Sequence, residues 1–457
     1  MSKKTAQSDS LGVTSDRRIQ GLVGTLSAIH ATQAPSIDIL KRFQTQYMDL
    51  TQEEKPLLFD AMLRGMEVRK EDIEGHLREL LEADGSDSVE WGRGVSALRH
   101  KMESPRLAAF RGFLNIHGGL RFLLDFRADL LAAQRRKSPH LDLVDADIAG
   151  LFNTWFQQGF LFLREITQDS SYRHIQFLRE HDMVHPMTSI DEMGSRLGLD
   201  RRCFALFHHA MPEEIVIFIE VALTRGVTRS ISEIIRKGDQ QTGPVKNPDT
   251  AVFYSINNSQ NGLAGLGLGK VLIFQVVDAI KRDHPEIKTF ATLSPIPGLR
   301  ERYLERILQG DDKKFSLKRK DLEALFSEAR KRSLVICHAE RTESEAKDFA
   351  SALSEILADP SWIEDEEYLA LLEKPLTEAA YYHVAKETRR PGRLLNPVAN
   401  FHVGNGARFS RRNINFAANL SDRGVEDSCG VMVNYIYSES RLKKINRTVR
   451  TLLQWHK

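Results

Sequence analysis

From about residue 18 to residue 157, apolar side chains recur at three- and four-residue intervals. The clearest stretches are SIDILKRFQTQYMDL, PLLFDAMLRGMEVRKEDIEGHLRELLEA and SPRLAAFRGFLNIHGGLRFLLDFRADLLAAQRR. That period predicts amphipathic helices, each with one face for a core. Ser104-Pro105 reads as an N-cap followed by proline at the first helical position. Thr51 to Glu54 fits a capping box, although Pro56 blurs where that helix begins. The region holds few β-branched residues and almost no cluster of catalytic type. Residues 1–17 are expected to be a flexible tail, and 18–157 an all-helical domain that serves packing and self-association.

After about residue 158 the pattern changes to short runs rich in β-branched and aromatic residues: CFALFHH, EEIVIFIEVALT, AVFYSINN, IKTFATLS and GVMVNYIYS. These predict strands. Helical segments are expected between them at 266–283, within 318–390 and at 439–455. Residues 158–457 therefore read as an α/β or α+β domain. SPIPG, at 294–298, follows a predicted strand directly, and its two prolines fix the chain as it leaves the sheet.

A chain of 457 residues is long enough for two or three domains at ~150 residues each, and two is the expectation. A net charge of +2 gives no bulk reason to expect nucleic acid or an anionic membrane as a partner. No apolar run approaches the ~20 residues of a membrane span, and the polar N-terminus lacks a signal-peptide core, so a cytoplasmic protein is expected. Cys203, Cys337 and Cys429 are far apart and lack C-x-x-C spacing, which predicts buried thiols and no zinc knuckle.

The candidate chemistry begins at NSQNGLAGLGLGKVLIFQVV, residues 258–277, a glycine loop between a predicted strand and a predicted helix. Such a loop offers backbone N–H groups and a helix N-terminus to an anion, most often phosphate. A dinucleotide fingerprint fails because Lys270 stands where the third glycine belongs, and a P-loop fails at Ala264 and Val271. A turn that lets a helix pack close to a sheet is the structural alternative. GNAT-type acyltransferases cradle the coenzyme A pyrophosphate at a similar loop; Gly265 and Gly267 fit its two small positions, whereas Gly262 occupies the place of Gln or Arg.

A second constellation lies in NPVANFHVGNGARFSRRNINFAANLSDRGVEDSCGVMVNY. His402 sits among Val398, Phe401 and Val403, a setting in which a structural histidine is the commoner outcome. Gly404 and Gly406 around Asn405 suggest a turn facing a ligand. Arg408, Arg411 and Arg412 can pair with phosphate or carboxylate, or form a solvated face.

Taken together, FYSINNSQNGLAGLGLGKVLI, TLSPIPGL, NPVANFHVGNGA and SCGVMVNYIY, in this order and spacing, resemble the signature blocks of the malonyl-CoA decarboxylase family. LFNTWFQQGFLFL and HDMVHP extend the resemblance to the domain junction. It implies an α+β fold, with a helical N-terminal domain followed by a GNAT-like α/β catalytic domain with a mixed central sheet, and self-association into tetramers. It further implies that Ala264, Gly265, Leu266, Gly267, Leu268, Gly269 and Lys270 contact the coenzyme A thioester, that Ser294 is catalytic, and that His402 shares its proton transfer.

Decarboxylation of malonyl-CoA leaves an enolate of acetyl-CoA. The thioester carbonyl is itself the electron sink, so neither an organic cofactor nor a metal is expected. The alpha carbon must gain a proton, which a histidine near its ordinary pKa of ~6.5 can hold and a serine hydroxyl can relay. Asn400, Asn405 and Tyr435 are further candidates for hydrogen bonds to the thioester or carboxylate. For Ser294 the structural alternative is a turn serine capping the next helix.

Two other enzyme classes compete. The same coenzyme cradle serves GNAT-type acyltransferases. In HDMVH, His181 and His185 stand four apart as zinc ligands on a helix would, although Asp182 replaces the usual glutamate and Pro186 follows. The basic run DDKKFSLKRK, at 311–320, is either a site for the 3′-phosphate of coenzyme A or an exposed basic face.

Overall fold

In the computed structural model the residues described are 3–31, 35–83, 87–136, 138–182, 184–185, 187, 189–198, 200–235, 245–343, 345 and 348–437. The predicted helix at 439–455 lies outside them. The chain divides into two units: Met1–Phe162 with Leu206–Ile217 and Asn258–Leu268, and Leu163–Ala205 with Phe218–Asn257 and Gly269–Lys457.

The first unit is built from helices that the apolar period predicts, including Ile37–Met48, Glu54–Gly65, Pro105–Phe113, Gly119–Arg136 and Asp142–Trp155. Residues 3–17 are part of a helix, Lys3–Ala31. Ser104 accepts a hydrogen bond from the Leu107 N–H with Pro105 at the first helical position. The reciprocal Thr51–Glu54 bonds form, at 2.9 and 3.3 Å, and the helix itself opens at Glu54, so Pro56 is its third residue, where its missing N–H costs nothing. The core is aromatic. Tyr47 packs against Phe126 at 4.8 Å between ring centroids, and Phe113 against Phe122 at 4.9 Å. The Tyr47 hydroxyl is satisfied by Asp129 at 2.8 Å, as a buried phenol must be.

The strands along the chain are β1 (Leu161–Ile166), β2 (Arg201–His208), β3 (Met211–Thr224), β4 (Thr250–Asn258), β5 (Thr289–Thr292), β6 (Ser294–Pro295), β7 (Thr388–Arg390), β8 (Arg393–Leu394), β9 (Ile414–Asn415), β10 (Met432–Val433) and β11 (Ile436–Tyr437). The main sheet runs β1-β2-β3-β4-β5-β11 and is mixed: β4 and β5 are parallel, β5 and β11 antiparallel. A second sheet of order β6-β10-β9 is antiparallel, with Ser294 opposite Val433. The result is the expected helical region followed by a mixed-sheet α/β domain.

Two chain segments change sheet side by side. After Thr292 the chain leaves β5, and one residue later Ser294 enters β6. After Val433 the antiparallel partner leaves β10, and Ile436 enters β11. Backbone groups at such a switch lose their ladder partners, and buried ones must find others. Asn434 supplies them: its side-chain amide donates to the Thr292 carbonyl at 2.8 Å and to the Thr228 carbonyl at 3.0 Å. Beneath lies a core of Ala222, Val252, Tyr254, Leu293, Ala418 and Met432.

Candidate active site

Ser294 emerges at this switch, and its structural alternative as a helix cap is not what forms: the residue is strand-paired and buried. His402 comes from the helix Pro397–Gly404. That helix is fixed at its start by Asn396, whose side-chain oxygen accepts the Val398 and Ala399 N–H groups, and Pro397 follows at the first helical position. His402 is buried and brings Nε2 to 3.3 Å from the Ser294 hydroxyl. The two residues are 108 positions apart in the chain, and the fold brings them together.

On its other side the His402 ring places Nδ1 2.8 Å from the Tyr437 hydroxyl. Tyr435 stacks on the ring at 4.7 Å between centroids, with planes 24° apart. The Tyr435 hydroxyl is buried and has no hydrogen-bond partner among the described residues. Ser294 also donates to the Thr292 hydroxyl oxygen at 3.0 Å. The array is thus Thr292, Ser294, His402 and Tyr437 in series, with one unpaired phenol beside it. Tyr437 and Thr292 are missed by reasoning from sequence, which selects Tyr435 from the same NYIY motif; only strand pairing shows which tyrosine meets Nδ1.

Burial sets the charge state. Desolvation pushes the His402 pKa down to about 3, so the ring is neutral at neutral pH. This corrects the expectation of an imidazole near its ordinary value. A neutral imidazole carries one N–H, so it passes a proton through one nitrogen only as it gains one at the other. Burial also raises the phenols of Tyr435 and Tyr437 above their ordinary values, so both remain protonated donors.

The glycine loop is built by different means. Gly262 is buried, and a Cβ there would stand 2.1 Å from the Leu124 carbonyl oxygen, so the loop backbone lies directly on the Gly119–Arg136 helix. Arg127 of that helix, paired with Asp145 at 2.7 Å, donates to the carbonyl oxygens of Gly262 and Ala264. Gly265 and Gly267 differ: both have positive φ, +83° and +72°, and nothing lies within 4 Å of a Cβ built on either. Leu268 opens the helix Leu268–Asp283, with Gly269 and Lys270 in its first turn. So Gly262 fulfils the packing alternative, and Gly265 and Gly267 give an open turn at a helix N-terminus.

Among the other candidates, Asn405 is the C-cap of the His402 helix and Asn400 is half-buried on it; neither side chain hydrogen-bonds to Ser294 or His402 among the described residues. Arg411 pairs with Glu378 at 2.9 Å and lies over the Tyr381 ring, which is the surface reading of that arginine group. In the basic run Lys318 donates to the carbonyl oxygens of Asp312 and Phe315, closing its own turn. The HDMVH helix ends at His181 with Asp182 as its C-cap, so His181 and His185 do not share a helical face. His181 stacks on Phe177, and Asp182 is buried on Arg196, Ser255 and Asn257. That arrangement is structural and removes the geometry on which the zinc reading rests. Cys203, Cys337 and Cys429 are buried free thiols, as expected.

With the geometry in view, comparison with known proteins gives consistent matches. Residues 159–451 match the model of the malonyl-CoA decarboxylase C-terminal domain, and 67–156 that of the N-terminal domain. The chain is 35% identical over 339 residues to mitochondrial malonyl-CoA decarboxylase of Anser anser anser, covering 73% of this chain and 64% of that one. To the Rattus norvegicus protein of the same name it is 33% identical over 352 residues, covering 74% and 67%. The match thus spans somewhat under two thirds of the goose protein's length. Among solved structures, malonyl-CoA decarboxylase from Rhodopseudomonas palustris superposes with a TM-score of 0.75 at 29% identity, covering 93% of this chain and 94% of that one. The Agrobacterium vitis protein gives 0.74 at 27%, covering 93% and 95%.

Proposed function

Because the chain belongs to the malonyl-CoA decarboxylase family, we propose that it is a carboxy-lyase that converts malonyl-CoA to acetyl-CoA and CO2. The observation that carries the reading is the buried His402 ring held between the Ser294 and Tyr437 hydroxyls. As the carboxylate leaves, its electron pair passes through the alpha carbon onto the thioester oxygen. The resulting enolate takes the Ser294 proton at carbon, Ser294 takes the Nε2 proton of His402, and Nδ1 takes the Tyr437 proton. Solvent reprotonates Tyr437, and the ring, now protonated on Nδ1, exchanges that proton to Nε2 before the next turnover, so one proton is consumed per cycle. The unpaired Tyr435 hydroxyl supports a role as donor to the developing oxyanion, since a buried donor left unmade costs ~1–3 kcal/mol until a ligand oxygen meets it.

Ala264, Gly265, Leu266, Gly267, Leu268, Gly269 and Lys270 are assigned to the coenzyme A pyrophosphate. The support is the open turn at Gly265 and Gly267 ahead of a helix N-terminus. No organic cofactor is needed, because the thioester carbonyl accepts the electrons. A homo-oligomer, a tetramer by family likeness, and a cytoplasmic location belong to the same reading. Light scattering on the purified chain tests the first and cell fractionation the second. No helix among the described residues is long and apolar enough to cross a membrane.

The deciding experiment is incubation of the purified protein with malonyl-CoA alone. Acetyl-CoA formed without an acceptor supports the lyase, whereas turnover only with an added amine supports a GNAT-type acyltransferase instead.

A further inference from the structure

We propose that Thr292 is a positioning residue that sets the direction of the proton chain: its hydroxyl oxygen accepts the hydrogen bond of the Ser294 O–H in the resting state, so that Ser294 accepts from His402 and does not donate to it. The inference rests on the Ser294–His402 reading above and adds a residue to it.

Thr292 closes β5 and is completely buried, and each of its polar atoms is engaged. Its N–H donates to the Tyr435 carbonyl at 2.9 Å, and its carbonyl accepts from Asn434 at 2.8 Å. Its hydroxyl oxygen accepts from the Tyr435 N–H at 3.2 Å and from the Ser294 hydroxyl at 3.0 Å. Such anchoring fixes the oxygen in space, unlike an ordinary threonine rotor.

The consequence is a matter of counting hydrogens. Ser294 has one proton and two neighbours, the Thr292 oxygen at 3.0 Å and His402 Nε2 at 3.3 Å. A hydroxyl donates once. With its O–H aimed at the Thr292 oxygen, Ser294 offers His402 a lone pair, so the N–H of the neutral ring must sit on Nε2. The Tyr437 hydroxyl then donates to Nδ1, and every proton points toward Ser294. Without the threonine hydroxyl, the nearest acceptor for Ser294 is Nε2 itself. The ring would then carry its proton on Nδ1, facing Tyr437, and the chain would point away from the substrate carbon.

The test uses the full-length protein, with Thr292→Val, Thr292→Ser and Ser294→Ala variants. Val keeps the shape and removes the hydroxyl. It is expected to lower kcat by roughly tenfold or more, a fraction of the ~100-fold or greater contribution of a placed proton donor, with KM for malonyl-CoA unchanged. Ser restores the hydroxyl and should recover most of that loss. The reading specific to proton direction is the 15N signal of His402 in protein labelled at histidine, assigned with His402→Asn. The resting wild type should show the proton on Nε2, and Thr292→Val should show it on Nδ1. Should Thr292→Val fold poorly, the wild-type tautomer alone decides: a proton on Nδ1 overturns the proposal. It is equally overturned by a folded Thr292→Val enzyme with wild-type kcat and an unchanged tautomer. Full turnover by Ser294→Ala would instead sink the underlying Ser294–His402 reading, and so the two failures are told apart.

Discussion

Around Gly265 and Gly267 the chain turns bare backbone outward, whereas around Ser294 it turns polar side chains inward. The loop is held from beneath by one arginine and one helix, with Gly262 pressed on the Leu124 carbonyl and Arg127 gripping two loop carbonyls. The pair is held from all sides, by strand pairing at Ser294, a cap at Asn396 and a stacked ring at Tyr435. The first arrangement suits a charged group that brings its own solvation and needs donors at a surface. The second suits a reaction in which water must be kept from an enolate and a proton must come from one direction. Changes in the loop should therefore move KM, and changes at the pair should move kcat.

The largest effects are expected at the pair. Ser294→Ala and His402→Asn should each cut the rate of CO2 release by about 100-fold to 10,000-fold, the range for loss of a positioned proton donor. Calorimetry with acetyl-CoA should find binding nearly unchanged for both. A rise in Kd matching the loss of rate would erase the contrast between the two regions. Next comes Arg127→Leu, which leaves Asp145 without its partner and two loop carbonyls without a donor. Asp145 is partly exposed, so the loss comes mainly from the two unpaired carbonyls and amounts to ~1–3 kcal/mol. Urea unfolding should show the loss, and KM should rise while kcat of the folded fraction holds.

Acid sharpens the contrast from another side. Burial depresses His402 to about 3 and His383 to about 4 in the folded protein, both below the ~6.5 of the unfolded chain. Between those limits the unfolded state binds more protons at these two rings, so their contribution to stability is complete above about pH 6.5 and falls as pH drops through the window. Urea midpoints measured from pH 7 to 4 should decline, and His402→Asn should make the decline shallower. An identical slope would mean that the ring is solvated in the folded state, against the enclosed site. The loop has no such titrating group, and Gly262→Ala should lower stability equally at each pH.

The two regions also differed in how far they could be read in advance. The glycine loop was plain in the sequence because its signal is local: four glycines between a strand and a helix. What the sequence hid was the division of labour, since Gly262 and Gly265 look alike until the Leu124 carbonyl is found beneath one of them. In the helical region the Thr51–Glu54 box and the Ser104–Pro105 start form as their spacing predicts, because a cap is decided within four residues. Strand β1 gave no signal, for LFLREI is mostly half-buried and lacks alternation. At the buried pair, Ser294 and His402 were singled out by resemblance to a family. Thr292 and Tyr437 could not be singled out because sheet register places them. The Thr292 hydroxyl meets a backbone 143 residues away, and His402 meets a hydroxyl 35 residues away.

The smallest effect tests the loop most selectively. At Gly265 a methyl group meets no atom, so Gly265→Ala introduces no clash; its only cost is the left-handed backbone, φ +83°, which a Cβ disfavours by about 1–2 kcal/mol. The local turn can relieve that strain by rotating its amide, and any donor aimed at an anion then turns with it. Gly265→Ala should accordingly lower stability by no more than about 1–2 kcal/mol, raise KM for malonyl-CoA several-fold and leave kcat as it was. Gly262→Ala should do the reverse, because its Cβ would stand 2.1 Å from a backbone oxygen and the helix beneath must move. If Gly265→Ala and Gly262→Ala lose stability alike and neither alters KM, the open turn is only a connection, and the anion must be bound elsewhere.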